Sequence, residues 1–451
     1  MENKNKQIEH YGLFTATAMI IGIVIGSGIF FKVDDVLKFT GGSVGLGILV
    51  FVIGALSIIF GSLTLTELSI RTEGSGGIIS YFERFISPKS ASGFGWFQTF
   101  IYFPTINAVI SWVAALYIFS FLGINASLEA QIALGYVIFT FFYGVNILSY
   151  KLGGYIQNIA AIIKLIPLVV IAVAGIFYHG QPAAIPTGIE VIKKTHVGLA
   201  WLAALAPIAF SFDGWVVSVN ITNEVRNPKR NMPLALIIGP LTVLSVYILY
   251  FLGLNNMLGS EYIMSLGNDA VNKAGAIILG SSGTKLLLFF IVISVLGVVN
   301  GMTLGSIRMP QSLAARNMIP GAEKVARLHP KYEISLPSAL IAYITAAVWM
   351  LLHYITMKTD FLKGSDISEI AIVFSYICYM LLYMKVISLR KNGEIKSFFK
   401  GILCPVLGLF GSLIILIGGL ISNPLHVICF ILFCGLVCLL GFLYFKGKAS
   451  K

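Results

Sequence analysis

Gly22-Ile-Val-Ile-Gly-Ser-Gly-Ile-Phe30 decides how this chain folds. It lies in the middle of the first apolar run, with hydrophobic residues on both sides. Gly26, Ser27 and Gly28 are poor helix formers set at what should be mid-bilayer. A backbone that unwinds there frees N–H and C=O groups that lipid cannot satisfy, so the break must be buried in protein or line a cavity. Freed N–H groups at such a break can hold an anion such as a carboxylate. Small residues also let helices pack closely, and a second interrupted run tips the balance between the two readings.

The 451 residues are 57% hydrophobic and only 11% charged, with mean hydropathy +0.90. No domain dissolved in water needs so much apolar surface, so the chain reads as a polytopic membrane protein. Its net charge of +12 does not imply nucleic acid, because the basic residues fall between apolar runs rather than on one face. The polar stretch Met1–His10 lacks a small-residue cleavage pattern and reads as a cytoplasmic tail. Cys378, Cys404, Cys429, Cys434 and Cys438 have no zinc spacing and read as small buried hydrophobes.

Twelve apolar runs of spanning length can be drawn, near 12–38, 43–68, 92–123, 128–148, 152–178, 198–221, 232–257, 284–308, 335–356, 367–387, 401–421 and 424–445. With the N-terminus inside, roughly 22 of the 31 Lys and Arg residues fall on the cytoplasmic side, which puts both termini there. The sixth run reads Leu205-Ala-Pro-Ile-Ala-Phe-Ser-Phe-Asp-Gly-Trp215, and Pro207, Ser211, Asp213 and Gly214 interrupt it near its middle. Five runs separate the two breaks. They therefore occupy matching places in two five-helix halves, 12–178 and 198–387, and an odd number inverts the second half. Paired broken helices in inverted halves point to a transporter's central site. The expected fold is all-α with twelve transmembrane helices: a five-plus-five inverted repeat, two further helices over 401–445, and short tails at 1–11 and 446–451.

Gly26-Ser-Gly-Ile-Phe30 and Phe210-Ser-Phe-Asp-Gly-Trp215 resemble the two substrate-binding breaks of the amino acid–polyamine–organocation superfamily. Three further segments agree: Glu67-Leu-Ser-Ile-Arg-Thr-Glu-Gly-Ser-Gly-Gly77, Asn223-Glu-Val-Arg-Asn-Pro-Lys-Arg-Asn-Met-Pro233, and Ala314-Ala-Arg-Asn-Met-Ile-Pro320 followed by Leu328-His-Pro330. The resemblance covers nearly the whole chain. It is strongest to the L-type amino acid transporter branch, and especially to bacterial alanine–serine–cysteine exchangers, which implies the leucine-transporter-like fold. Animal members of that branch carry a cysteine in the loop between the third and fourth helices, which tethers a heavy chain. Leu122-Gly-Ile-Asn-Ala-Ser-Leu-Glu129 has none, so no disulfide-linked heavy subunit is expected.

A zwitterionic amino acid needs an anion holder and a cation holder a few ångströms apart. Ser27 and Gly28 stand where N–H groups open the outer half-helix, and Gly26 lets the backbone turn. Carbonyls from Val24, Ile25, Phe210 and Ser211 are the candidates for the α-ammonium. By resemblance, Phe210 is the aromatic that closes over substrate. Asp213 either lines the side-chain end of the pocket, narrowing it and disfavouring acidic substrates, or faces water at the mouth of a vestibule. Lys164 lies too deep in the fifth run to snorkel easily. The resemblance implies an ammonium aimed at the unwound first helix, near the place of sodium in sodium-coupled relatives. Ser294 and Asn300 are candidates for framing the same region and Tyr247 for bonding toward the first break, or all three are interhelical glue.

An ATP-driven pump needs a phosphate loop, and Gly280-Ser-Ser-Gly-Thr-Lys285 does not fit one. The six histidines, His10, His179, His196, His329, His353 and His426, make no zinc-protease context, so an enzyme is not expected, nor any metal or cofactor. The resulting expectation is a plasma-membrane, sodium-independent exchanger of small neutral L-amino acids. Proton symport through Lys164 is the alternative.

Overall fold

In the computed structural model the described residues are 12–26, 28–72, 77–149, 163–216, 225–362, 366–422 and 424–449. Among them every regular element is a helix, the one open-ended structure that satisfies its own backbone inside lipid. The chain runs α1 (Leu13–Val24), α2 (Gly28–Phe31), α3 (Val33–Phe39), α4 (Val44–Ser69), α5 (Gly77–Phe85) and α6 (Pro88–Leu122). It continues through α7 (Leu128–Leu148), α8 (Leu165–Ile176), α9 (Gly198–Ser211), α10 (Pro228–Leu258), α11 (Ser260–Leu266) and α12 (Asp269–Ala315). It ends with α13 (Ala322–Ala326), α14 (Leu336–Lys358), α15 (Ile367–Lys391), α16 (Phe399–Ile421) and α17 (Pro424–Ala449).

Local sequence sets where these helices begin. The hydroxyl of Ser43 accepts the Leu46 N–H ahead of α4, and Asp366 accepts the N–H groups of Ser368 and Glu369 ahead of α15. Proline stands in the first turn of α6, α10 and α14, where its missing N–H costs nothing. Gly280, with φ of 70° and ψ of −168°, kinks α12 between its opening turns and the long apolar stretch from Ser282.

Among the described residues ten helical stretches are long and apolar enough to cross a membrane, α1 and α2 counting together as one, Leu13–Phe31. They coincide with ten of the twelve runs read from the sequence. The fifth and sixth runs contribute the shorter apolar helices α8 and α9; residues 152–162 and 217–221 of those runs lie outside the described residues. The bundle closes through small residues. At the crossing of α8 and α10, a Cβ on Gly175 would lie 2.3 Å from the Cα of Gly253, so only glycine allows that approach. Gly61 of α4 likewise admits the Tyr383 hydroxyl of α15. All five cysteines are free; Cys378, Cys404 and Cys434 are buried, whereas Cys429 is exposed, which departs from the uniformly buried reading.

Candidate substrate site

Helix α1 stops at Val24. Ile25 turns extended, with φ of −67° and ψ of 106°, and helix resumes only at Gly28. Ser27 lies outside the described residues. The second break follows Ser211, where Phe212, Asp213 and Gly214 form a turn and Gly214 takes a φ of 91° that favours glycine. The two breaks touch. A Cβ on Gly28 would lie 2.7 Å from the Cα of Ser211 and 2.9 Å from the Phe210 ring, and one on Gly214 would lie 3.3 Å from the Ile23 carbonyl oxygen. Glycine is required on both sides because backbone meets backbone.

Beside this contact lies a cavity of about 330 Å³. Val24, Gly26, Gly28, Lys164, Phe210, Asp213 and Arg308 line it, with an apolar wall from α6 and α12 that includes Ile106, Ile110, Val298 and Met302. A few polar groups converging in a mostly apolar cavity are what orient a small ligand.

Lys164 is buried, and its ammonium donates to the carbonyls of Gly22 and, at 2.5 Å, Ile25. The last turn of α1 would otherwise leave those carbonyls unsatisfied. The Ile25 oxygen is thus shared, and so is that of Phe210, which accepts the Asp213 N–H at 3.0 Å. The Tyr247 hydroxyl of α10 donates to the Ser211 carbonyl at 3.0 Å. Ser211's own hydroxyl is spent on Pro207 within its helix, at 2.9 Å.

Phe210 caps the cavity and packs edge-on against Phe31, ring centroids 5.4 Å apart. Above these rings sits Lys32, its ammonium 4.9 Å from the Phe31 centroid and 5.6 Å from that of Phe210. Lys32 is 3% exposed and is clasped by Glu369 at 2.6 Å, Asp366 at 2.9 Å and Asp35 at 3.4 Å. The clasp ties α3, which follows α2 beyond the first break, to the start of α15. Asp213 lies on the cavity wall, and one of its oxygens accepts the Tyr102 hydroxyl of α6 at 2.6 Å.

Two candidates sit apart. Asn300 accepts the Asn146 amide of α7 at 2.9 Å and does not line the cavity. Ser294 is buried on α12 with no hydrogen-bond partner among the described residues and is not on the cavity wall either. Sequence reasoning missed Tyr102, Arg308 and the Lys32 clasp. A charge at the end of the first run, with Asp366 and Glu369 spaced i,i+3 at the start of the tenth, was the available signal.

A family model described as amino acid permease matches residues 11–450. The chain belongs to the amino acid permease family. This permease is 29% identical to the serine/threonine exchanger SteT of Bacillus subtilis (strain 168), over 98% of this chain and 97% of that one. It is 26% identical to the b(0,+)-type amino acid transporter 1 of Homo sapiens, covering 98% and 89%. With the Asc-type amino acid transporter 1 of Mus musculus the identity is 27%, covering 92% and 77%. The permease is therefore a membrane transporter of the amino acid–polyamine–organocation superfamily, like the L-type branch, and not an enzyme.

Proposed function

We propose that this permease is a sodium-independent exchanger of small neutral L-amino acids, such as alanine, serine and cysteine, working by alternating access. The observation that carries the reading is Lys164: a fixed ammonium already sits on the carbonyls freed by the first break, where a mobile cation would otherwise be needed. The substrate carboxylate goes to the N–H groups of Ser27 and Gly28, favoured by the partial positive charge where helix resumes. The α-ammonium goes to the carbonyls of Val24, Ile25, Phe210 and Ser211, the last three shared with Lys164, the Asp213 N–H and Tyr247. Substrate then bridges both broken helices under the Phe210 ring, and closure follows from contacts made only in the occluded state. The size of the cavity and the name of the Bacillus subtilis relative support small substrates.

In this reading α8 and α9 belong to full spans, so twelve helices form two inverted halves, 12–178 and 198–387, with 401–445 outside the repeat. Both termini are cytoplasmic, in the plasma membrane, which puts the Lys32 clasp at the outer end. No disulfide-linked heavy subunit is involved, since the loop over 122–129 has no cysteine.

A second reading has a specific observation behind it. Among the described residues no carboxylate bonds Lys164, and a buried ammonium without one can release a proton, so proton symport is the alternative mode. Labelled L-alanine uptake into sodium-free proteoliposomes separates the two. Uptake only into vesicles preloaded with unlabelled L-serine, indifferent to a proton gradient, is expected of the exchanger. Uptake into empty vesicles that rises with an inward proton gradient overturns exchange in favour of symport.

A further inference from the structure

Helix α6 is not a regular α-helix throughout. Between Gln98 and Tyr102 it widens into a π-turn, and the Phe103 N–H reaches back to the Gln98 carbonyl. A π-turn inserts one residue into the helical register and re-aims the side chains at that level, and such turns gather at functional sites. Here the turn ends on Tyr102, a buried phenol whose hydroxyl crosses to the second break and donates to Oδ2 of Asp213 at 2.6 Å. Asp213 is itself half-buried on the cavity wall. A carboxylate has about four lone-pair sites, so the phenol and the Gly214 N–H together leave acceptor capacity on a group that lines the cavity.

We propose that Tyr102 is a positioning residue for side-chain selection. It pins Asp213 so that the remaining acceptor capacity meets the end of a short substrate side chain and favours one that carries a hydrogen-bond donor over the methyl group of alanine. The ligand class is an L-amino acid with a donor on its β-carbon: a hydroxyl, as in serine and threonine, or an ammonium, as in diaminopropionate. Two physical arguments support this. An ionised carboxylate only accepts, so an apolar side chain in contact with it strips water from the carboxylate without replacing the lost bond. A site built around such a bond rejects the analogue lacking the donor more strongly than an apolar pocket rejects a change of size. Pinning matters because a carboxylate free to rotate must be ordered by each arriving substrate, and that ordering weakens binding. The inference rests on reading the cavity as the amino acid site.

The test is competition against labelled L-alanine counterflow in proteoliposomes containing the full chain, with unlabelled L-alanine, L-serine, O-methyl-L-serine and L-diaminopropionate as competitors. In the wild type a donor-bearing competitor is expected to outcompete both L-alanine and O-methyl-L-serine by about tenfold or more. Serine leading identifies a hydroxyl as the preferred donor, and diaminopropionate leading identifies an ammonium. Tyr102→Phe keeps the ring and removes the pin; the donor's advantage over L-alanine is expected to shrink at least about threefold. Asp213→Asn is expected to remove the diaminopropionate advantage and to lower that of serine. A merely structural Tyr102 would scale all competitors together, leaving the ratio between them where it was. Equal competition by serine, diaminopropionate and alanine in the wild type overturns the inference even if Tyr102→Phe fails to fold, and so does an unchanged ratio in a folded Tyr102→Phe. Absence of any amino acid counterflow overturns the underlying reading of the site, and the inference with it.

Discussion

Gly28 has room for a hydrogen and nothing larger. Because a Cβ there meets the Ser211 backbone at 2.7 Å, Gly28→Ala must push the two breaks apart at the point where they should share a ligand. The expected result is loss of L-alanine exchange by about a hundredfold, the order that an ångström of misplacement costs elsewhere, in protein that still reaches the membrane. Lys164→Ala removes the donor to the Gly22 and Ile25 carbonyls, each of which then costs about 1–3 kcal/mol if it stays dry. Exchange should fall at least about tenfold while membrane insertion holds, measured as counterflow per inserted molecule. Wild-type kinetics in that variant would remove the role given to the fixed cation. At this scale the sequence was legible where residue types broke a rule: glycines, a proline, an aspartate and a lysine inside apolar runs. Tyr102 broke no rule. It is one of 19 tyrosines, set in an apolar helix, and only the π-turn gives it direction.

Elements tell a similar story. Ten of the spans could be read from run length alone, since in lipid each apolar stretch must satisfy its own backbone. Pairings between distant elements could not. Lys32 and Glu369 are 337 positions apart, and nothing local in either marks the other. Their clasp is nevertheless what joins α3 to α15, and it predicts an element-scale outcome. Lys32→Met leaves Asp366 and Glu369 buried without their cation, which favours water entry at that end. A cysteine placed at Phe31, in a background lacking Cys429, should then react with a membrane-impermeant thiol reagent at least about fivefold faster, as expected for a shift of roughly 1 kcal/mol in the closed population. No change in labelling would mean that the clasp stabilises the fold without governing access. Asn300, a polar residue in a membrane helix, joins α12 to α7 and does not line the candidate cavity.

For the whole molecule, the proposed two inverted halves carry a topological consequence. Epitope tags at the N- and C-termini should both be protected in intact cells and both become accessible when the membrane is permeabilised; one exposed terminus would break the inverted pairing. Lys164 bears on the molecule's setting as well. Its ammonium is covalently part of the chain, so its local concentration is fixed by the length of one side chain and not by the medium. A cation held this way cannot be washed out, competed off by potassium, or exhausted by a failing ion gradient. Under the exchange reading the molecule would run equally well in dilute and in concentrated salt. It would also be unable to enlarge the amino acid pool it serves, altering only its composition.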